Sequence, residues 1–390
     1  MLACAQHDYL FMNVVIIGPA YPLRGGLATY NERLARAFQE AGDTARLVTF
    51  SLQYPDFLFP GQTQYSTEAA PADLAIEVSL NSVNPLSWVA LGRRLRRERP
   101  DLVVFRFWLP LMGPALGTVA RLVRGNKHTR VVAITDNVIP HEKRPGDRVL
   151  TRYFLSACDG FVTMSRSVLN DLQSLGFGQK PALYRPHPLY DNFGPIKPRA
   201  TALAALQLPA GIHYALFFGF IRAYKGLDLL LEAWADPRLA ALPVKLLLAG
   251  EFYEDAAPYE ALIQKYDLES RLVRATDFIP NERVADYFCA ADIVLQPYKN
   301  ATQSGVSQVA YHFERPMLVT DVGGLAELIP HGEVGYVVPP TAAAIANALV
   351  DYFTHPEKQG QFEAGTRRVK QQFSWPVMVT ALKEVASSSC

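Results

Sequence analysis

A chain of 390 residues with 49% hydrophobic and 19% charged residues is long enough for two or three domains and too apolar to remain disordered. A formal net charge of +1 provides no whole-molecule field to gather nucleic acid. The four cysteines, Cys4, Cys158, Cys289 and Cys390, have neither metal-ligand nor disulfide spacing, which fits a reducing compartment and buried or free thiols.

The N-terminus, MLACAQHDYLF, lacks the basic start of a secretory signal, and Met12, just before the first strand, is an alternative start. The longest uncharged apolar run, residues 107–120, contains Pro110 and Pro114 and is shorter than the ~20 residues of a spanning helix. A soluble, cytoplasmic protein is the expectation.

From Val14 onward, short β-branched runs alternate with amphipathic segments. Residues 14–18 read as a strand, 27–42 as a helix ending on Gly42, and 45–50 as a second strand. The irregular, aromatic stretch 54–71 reads as a surface loop. A helix over 87–99, a strand over 101–108, a helix over 111–124 and a strand over 131–135 follow. Next come a helix over 146–158, a strand over 160–165 and a helix to about residue 175. Near-continuous apolar strands between helices predict a parallel sheet covered on both faces.

Residues 184–199, with several prolines and no period, read as a linker. Strands restart at 214–219, 245–250, 272–279, 292–297 and 316–321. A long helical region over 341–372, a break at 373–375 and a helix over 376–385 complete the chain. The fold class predicted is α/β, with two Rossmann-like doubly wound domains facing across a cleft at the carboxyl ends of their strands.

The central stretch is ALFFGFIRAYK, residues 215–225, with Gly226 behind it. An apolar strand ends on Gly219, and the turn after it carries Arg222 and Lys225 to the start of a helix with Leu227, Leu230 and Leu231 on one face. Two cations at a strand's carboxyl edge suit a phosphate; ordinary solvated loop charges are the competing reading. The first strand leads into GPAYPLRGG, residues 18–26, where Gly25 and Gly26 either open backbone N–H groups to a ligand or make a plain turn.

The loop TDNVIPHEKRPGD, residues 135–147, holds Asp136, Asn137, His141 and Glu142 at another strand end. His141 is read as a general base or a donor to a sugar, or as a group that ties the loop down. In the second half Thr302, Gln303, Ser304 and Gly305 open one helix, and Gly323 and Gly324 precede another with Glu327 one turn in. Two helix starts beside an Arg/Lys pair would cradle a diphosphate. The run GRRLRRER, residues 92–99, is either a solvated helix face or a docking site for an anionic membrane.

These motifs in combination resemble the GT-B glycosyltransferases of the large retaining group called GT4. The likeness rests on GFIRAYKGLDLLLEAW (219–234), LLLAG (246–250), ADIVLQPYKNATQSG (291–305), RPMLVTDVGGLAELIPHGEVGYVVPP (315–340) and the FSW at 373–375, with PLRGGLATYNERLARAF (22–38) as a weaker N-terminal match. The resemblance implies retaining transfer of a sugar from a nucleotide-sugar co-substrate to a glycan or lipid-linked acceptor, with no other cofactor and no metal. It implies that Arg222 and Lys225 neutralise the leaving diphosphate, that Gly25 and Gly26 approach it, and that His141 lies near the transferred sugar. Gly219, Thr302, Gln303, Ser304, Gly305, Gly323, Gly324 and Glu327 would complete the donor site, with Asp136, Asn137 and Glu142 towards sugar or acceptor.

The domains implied are an acceptor-side domain over 1–195, a nucleotide-sugar-binding domain over 196–373 and a final helix, 374–390, crossing back to the first. Work in cell-surface polysaccharide or glycolipid synthesis is expected, on the cytoplasmic side with peripheral contact at the inner face of the membrane, and with no nucleic-acid partner.

The chain departs from the family at its paired glutamates, which are separated by seven residues. No carboxylate lies between Asp292 and Glu314, and the second position falls on Val309 and the first near residues 301–303. Gln303 is the stand-in for the first and Gln308 a neighbour of the second. A glutamine keeps hydrogen-bonding reach without charge. Two alternatives follow: a degenerate member that binds nucleotide or a partner without turnover, or another enzyme on this fold such as a nucleotide-sugar epimerase, which would need further acid/base carboxylates. Loops such as 251–255 and 276–280 would choose the base.

Overall fold

The computed structural model describes residues 11–54, 64–66, 69–139, 144–301 and 304–388. The chain divides into two compact units, Met1–Pro186 with Trp375–Cys390, and His187–Ser374.

The first unit contains β1 (Asn13–Ile17), α1 (Gly26–Glu40), β2 (Thr44–Leu52), β3 (Ala75–Asn81), α2 (Pro85–Glu98), β4 (Leu102–Phe107) and α3 (Gly113–Arg124). It continues with β5 (Arg130–Thr135), α4 (Asp147–Leu155), β6 (Gly160–Thr163), α5 (Arg166–Ser174) and β7 (Ala182–Tyr184). The strands form one parallel sheet in the order β3-β2-β1-β4-β5-β6-β7. Every residue of β4 is buried, because helices cover both faces and leave no solvated side. Leu91, Leu95, Leu116, Val119, Phe154 and Leu172 place α2, α3, α4 and α5 on one face, against Val15, Val103 and Phe105.

The second unit contains α6 (Arg199–Ala205), β8 (His213–Phe218), α7 (Leu227–Trp234), α8 (Pro237–Ala240), β9 (Val244–Ala249), α9 (Ala257–Lys265) and β10 (Leu272–Ala275). Then follow α10 (Asn281–Ala290), β11 (Ile293–Gln296), α11 (Gly305–His312), β12 (Met317–Thr320), β13 (Gly335–Val338), α12 (Ala342–Thr354) and α13 (Pro356–Val369). Its parallel sheet has the order β10-β9-β8-β11-β12-β13. Both sheets reverse direction of growth beside their first strand, at β1/β4 and β8/β11, where doubly wound sheets open a crevice at the carboxyl edge.

The last helix, α14 (Trp375–Ser387), belongs to the first unit. Together with α1 it covers the second face of the first sheet, where Trp375, Met378, Leu382 and Val385 join Val14, Ile16, Val104 and Val132. Trp375 packs on Tyr30 at 5.0 Å between ring centroids, and the Arg33 guanidinium lies 5.1 Å from its ring. Lys383 pairs with the buried Asp43 at 2.7 Å. Where the chain crosses between units, Leu189 N–H donates to Phe373 O at 2.9 Å.

Three strands lie outside the sequence reading. β3 is a half-exposed edge strand with Val78 open to solvent, β7 is three residues long and half-buried, and β13 is a four-residue strand with Val337 half-buried. None presents the long apolar run that marks a central strand. The helical region over 341–372 is two helices, because His355 precedes Pro356 and takes extended backbone, φ −125° and ψ 83°. In the stretch 54–71 Gln64 is buried and its amide donates to Tyr54 O at 3.2 Å; residues 55–63 and 67–68 lie outside the described residues.

Trp375→Ala removes the largest side chain under α14 and is expected to cost about 3–5 kcal/mol in the first unit. Urea unfolding followed by a probe in that unit, such as Trp108 fluorescence, would show it as a lowered midpoint; an unchanged midpoint would mean that α14 contributes little to this core.

Candidate functional site

Lys225 ends a single 3₁₀ turn, Ala223–Lys225, that follows β8 at the switch point of the second sheet. Gly219 directly after β8 has φ 94°, and a Cβ there would stand 3.1 Å from Lys225 Nζ and 3.9 Å from Val306 Cγ2 in the first turn of α11. A glycine at this position therefore provides both the left-handed backbone and the space that the ammonium occupies. Gly226, at φ 70°, is tighter still: a Cβ would meet Pro297 O at 1.9 Å, so the turn after β8 rests directly on the main chain leaving β11. The strand-end segments at Gly219, Lys225, Pro297 and Val306 thus converge.

Lys225 is 8% exposed, and among the described residues its ammonium has no hydrogen-bond or carboxylate partner. Burial, reinforced by the neighbouring Arg222 charge, pulls its pKa down from 10.5 to about 8. Its ammonium lies 5.8 Å from the Tyr298 ring. Tyr298 is itself buried; its hydroxyl is 3.3 Å from Ser304 Oγ and its carbonyl accepts from Thr320 Oγ1 at 2.5 Å. Arg222 lies with Cζ 3.9 Å over the exposed Tyr253 ring, and its buried Nε has no hydrogen-bond partner among the described residues. Two cations, one desolvated and one held flat by an aromatic ring, are left without counter-charge among the described residues at one strand end, and an anion is the chemistry they accept.

Ser304 caps α11 without a side-chain hydrogen bond to it, and Gly305 begins the helix with the Tyr190 ring alongside, 3.1 Å from where a Cβ would be. Thr302 and Gln303 lie outside the described residues. Gly323 and Gly324 do not open a second helix: they form a turn followed by one 3₁₀ turn, Ala326–Leu328, with Glu327 exposed on it. Ile329, ahead of Pro330, is already extended, which stops the helix. One helix start, not two, therefore accompanies Lys225.

Of the positions that answer to the family's paired glutamates, residues 301–303 and Val309, Thr302 and Gln303 lie outside the described residues and the described ones are apolar and closed. Ala301 and Val309 are buried in the core below β11 and β12. Gln308 is fully buried with neither amide atom partnered among the described residues, so it is not an open contact. Sequence reasoning passed over Tyr298, Tyr253 and Tyr190; for Tyr298 the signal was its place in the QPYKN run immediately after a strand.

In the first unit Gly25, at φ 110°, caps α1, and Gly26 is its first residue. Asp136 follows β5, and both its oxygens are taken by Arg106 at 2.6 Å, so it is an ion-pair partner and not an open sugar contact. Burial pushes its carboxyl above the ordinary value, with the Arg106 charge opposing. The Arg106 guanidinium lies 3.9 Å from the Tyr30 ring centroid, which ties β4 to α1 and to the loop after β5. Asn137 is half-buried beside this pair, and His141 and Glu142 lie outside the described residues. Cys158 and Cys289 are buried thiols, and burial pushes Cys158 up to about 12. Among the described residues no helix is long and apolar enough to cross a membrane, and no group of three or more His, Cys, Asp or Glu could hold a metal ion.

Two all-parallel α/β units with a cationic strand end at the switch point of the second define the GT-B class of architecture. Solved structures agree on the fold: sucrose-phosphate synthase from Thermosynechococcus elongatus matches with a TM-score of 0.69 at 19% identity, covering 95% of this chain and 97% of that one. A glycosyltransferase from Rickettsia africae matches at 0.71 and 14% identity, covering 97% and 98%. Anabaena Alr3699/HepE in complex with UDP matches at 0.69 and 16% identity, covering 97% and 99%.

The family described as Glycosyl transferases group 1 matches residues 213–355, and Glycosyltransferase Family 4 matches residues 24–183. The chain belongs to the GT-B glycosyltransferases of the GT4 type. D-inositol 3-phosphate glycosyltransferase from Streptomyces scabiei is 29% identical over 219 residues, 54% of this chain and 49% of the relative. The Streptomyces coelicolor protein of the same name is 27% identical over 273 residues, 67% of this chain and 57% of the relative. The chain thus spans about half the length of the curated relatives it matches.

Two outcomes follow from these geometries. Lys225 carries a folded pKa of about 8 against 10.5 in an open chain, so the unfolded state binds more protons between those values and stability rises with pH across that window. An anion held by the ammonium behaves oppositely: pyrophosphate affinity measured by calorimetry is expected to fall about tenfold per pH unit above about 8, and a flat profile would remove Lys225 from the contact. Asp136→Ala leaves Arg106, 2% exposed, without its counter-charge, and is expected to cost about 3–5 kcal/mol in denaturant unfolding.

Proposed function

We propose that the chain transfers a sugar from a nucleotide-diphosphate-sugar to a glycan or lipid-linked acceptor with retention of configuration, in cell-surface polysaccharide or glycolipid synthesis, without a metal. The observation that carries this reading is the buried, unpaired ammonium of Lys225 next to Arg222 at the carboxyl end of β8. Fixed cations in a desolvated site stabilise the charge that develops on a leaving diphosphate more strongly than water does. The first turn of α11, with Ser304 and Gly305, supplies free backbone N–H groups to the same anion.

In this mechanism the bond from the anomeric carbon to the diphosphate oxygen breaks while the acceptor oxygen attacks from the same face. A phosphate oxygen takes the acceptor proton, and Arg222 and Lys225 hold the departing diphosphate. No carboxylate of this chain is needed as a nucleophile, in keeping with apolar side chains at Ala301 and Val309. Isolation of a glycosyl adduct on a side chain would overturn this route. His141 is assigned to the transferred sugar and Gly25 and Gly26 to the diphosphate, and the protein is assigned to the cytoplasmic side of a membrane.

UDP-sugars are the first donors to test, because a structural neighbour is solved with UDP and UDP-glucose. Turnover is expected with one donor among UDP-, GDP- and dTDP-sugars, and Lys225→Ala is expected to lower kcat about 10²–10³-fold. Tight UDP or GDP binding with no turnover of any donor would instead identify a nucleotide-binding protein without catalysis.

A further inference from the structure

Residues 187–194 open the second unit and run along α11. The Tyr190 ring meets the first residue of that helix: its Cε2 lies 3.1 Å from where a Cβ on Gly305 would stand, with Cδ2 at 3.8 Å and Cζ at 3.9 Å. Four residues on, Gly194 O accepts from Nε2 of His312, the last residue of the helix, at 2.8 Å. Eight helical residues rise about 10 Å, and four residues of extended chain reach about 13 Å. The segment is therefore a strap that spans α11 from end to end.

The strap is fixed by groups that the anion site does not use. Leu189 N–H donates to Phe373 O at 2.9 Å, the Lys197 ammonium pairs with Asp286 on α10 at 2.6 Å, and Arg199 pairs with Asp292 at 2.9 Å. The Tyr190 ring packs on its own neighbours, 4.7 Å from the His187 ring and 6.4 Å from that of Phe193, and against the core that contains Val309 and Tyr311.

α11 depends on outside support at its start. It has two turns, begins on Gly305, and its cap, Ser304, makes no side-chain hydrogen bond to the helix. Glycine and serine are poor helix formers, and a helix this short does not hold its first turn unaided. Its middle is not pinned either. Helical spacing places Gln308 on the same face between Gly305 and His312, fully buried, with neither amide atom partnered among the described residues. A buried amide left unpaired costs free energy that a shift bringing it to a partner would recover. The contacts at the two ends of the strap, Tyr190 on Gly305 and Gly194 on His312, oppose that shift. Gly305 itself is exposed, so the ring steadies the first turn without closing it.

We propose that Tyr190 is a positioning residue for the transfer reaction: its ring fixes the first turn of α11, and with it the direction in which the N–H groups of that turn point at the departing diphosphate. The inference rests on the reading of Lys225, Arg222 and α11 as a diphosphate site, and adds a residue that acts on the ligand only through Gly305. The ring edge makes the contact, so the ring and not the hydroxyl carries the role.

The test is pyrophosphate binding by calorimetry, read beside the urea midpoint of each variant. Tyr190→Leu keeps an apolar group on the core but loses the flat ring, and is expected to bind about tenfold more weakly, the worth of one charge-assisted hydrogen bond, with little change in midpoint. Tyr190→Phe is expected to recover nearly all of the affinity. Gly305→Ala pushes a methyl group onto the ring; it is expected to weaken binding as well, and to add little to Tyr190→Leu because both disturb one contact. Gly305 is exposed and its backbone is not left-handed, so this variant folds whatever becomes of the other. With a donor that turns over, the loss is expected in kcat more than in KM, since the N–H groups act most on charge that has already developed. Unchanged affinity in Tyr190→Leu would overturn the proposal. So would equal losses in Tyr190→Leu and Tyr190→Phe, which would put the hydroxyl on the ligand, or fully additive losses in the Tyr190/Gly305 pair. Absence of pyrophosphate binding by the unchanged protein would overturn the diphosphate reading first, and this one with it.

Discussion

A lysine ammonium withdrawn from water without a carboxylate is the constraint around which the second unit is arranged. Taking such a charge out of water costs several kcal/mol even after relaxation. Here its surroundings are a second cation, a phenol ring and main chain, and none returns that cost. The six-stranded sheet, buried on both faces, supplies the rigidity that keeps the arrangement from relaxing towards solvent. An incoming anion therefore meets charge that is already in place and already desolvated, which is the condition under which electrostatics act most strongly.

The geometry around Lys225 depends on main chain touching main chain. The turn after β8 rests on Pro297 O, and the ammonium occupies space that any side chain at residue 219 would fill. Such contacts are specified by missing atoms, so the site has few conspicuous side chains. The first unit uses the opposite strategy at its own carboxyl edge, where Arg106, Asp136 and Tyr30 lock three elements with a buried ion pair and a stacked ring. One edge keeps its charge unsatisfied, and the other satisfies it internally.

The central strands were legible because each carries a near-continuous apolar run, a direct result of burial on two faces. Edge strands were not, since β3 buries one residue securely and its sequence, AIEVSLN, reads as mixed. Arg222 and Lys225 were legible as a pair at a strand end, but sequence could not tell that one would be desolvated and the other stacked on Tyr253. That distinction depends on residues 253 and 298, brought in from other strand ends. The glycines at 323 and 324 looked like a helix start, because helix starts and tight turns use the same residue; Pro330, a few residues on, decides between them. Asp136 looked available because its partner lies on another strand, thirty residues earlier in the chain.

The return of α14 to the first unit has a consequence for synthesis. All seven strands of the first sheet emerge before the second unit does, yet one apolar face, with Val14, Ile16, Val104 and Val132, receives part of its cover only from Trp375 onward. The second unit is one continuous segment, His187–Ser374, and can close as soon as it leaves the ribosome. The half made first is thus the half finished last, and its open face is exposed to chaperones and to aggregation for the time it takes to translate the second unit.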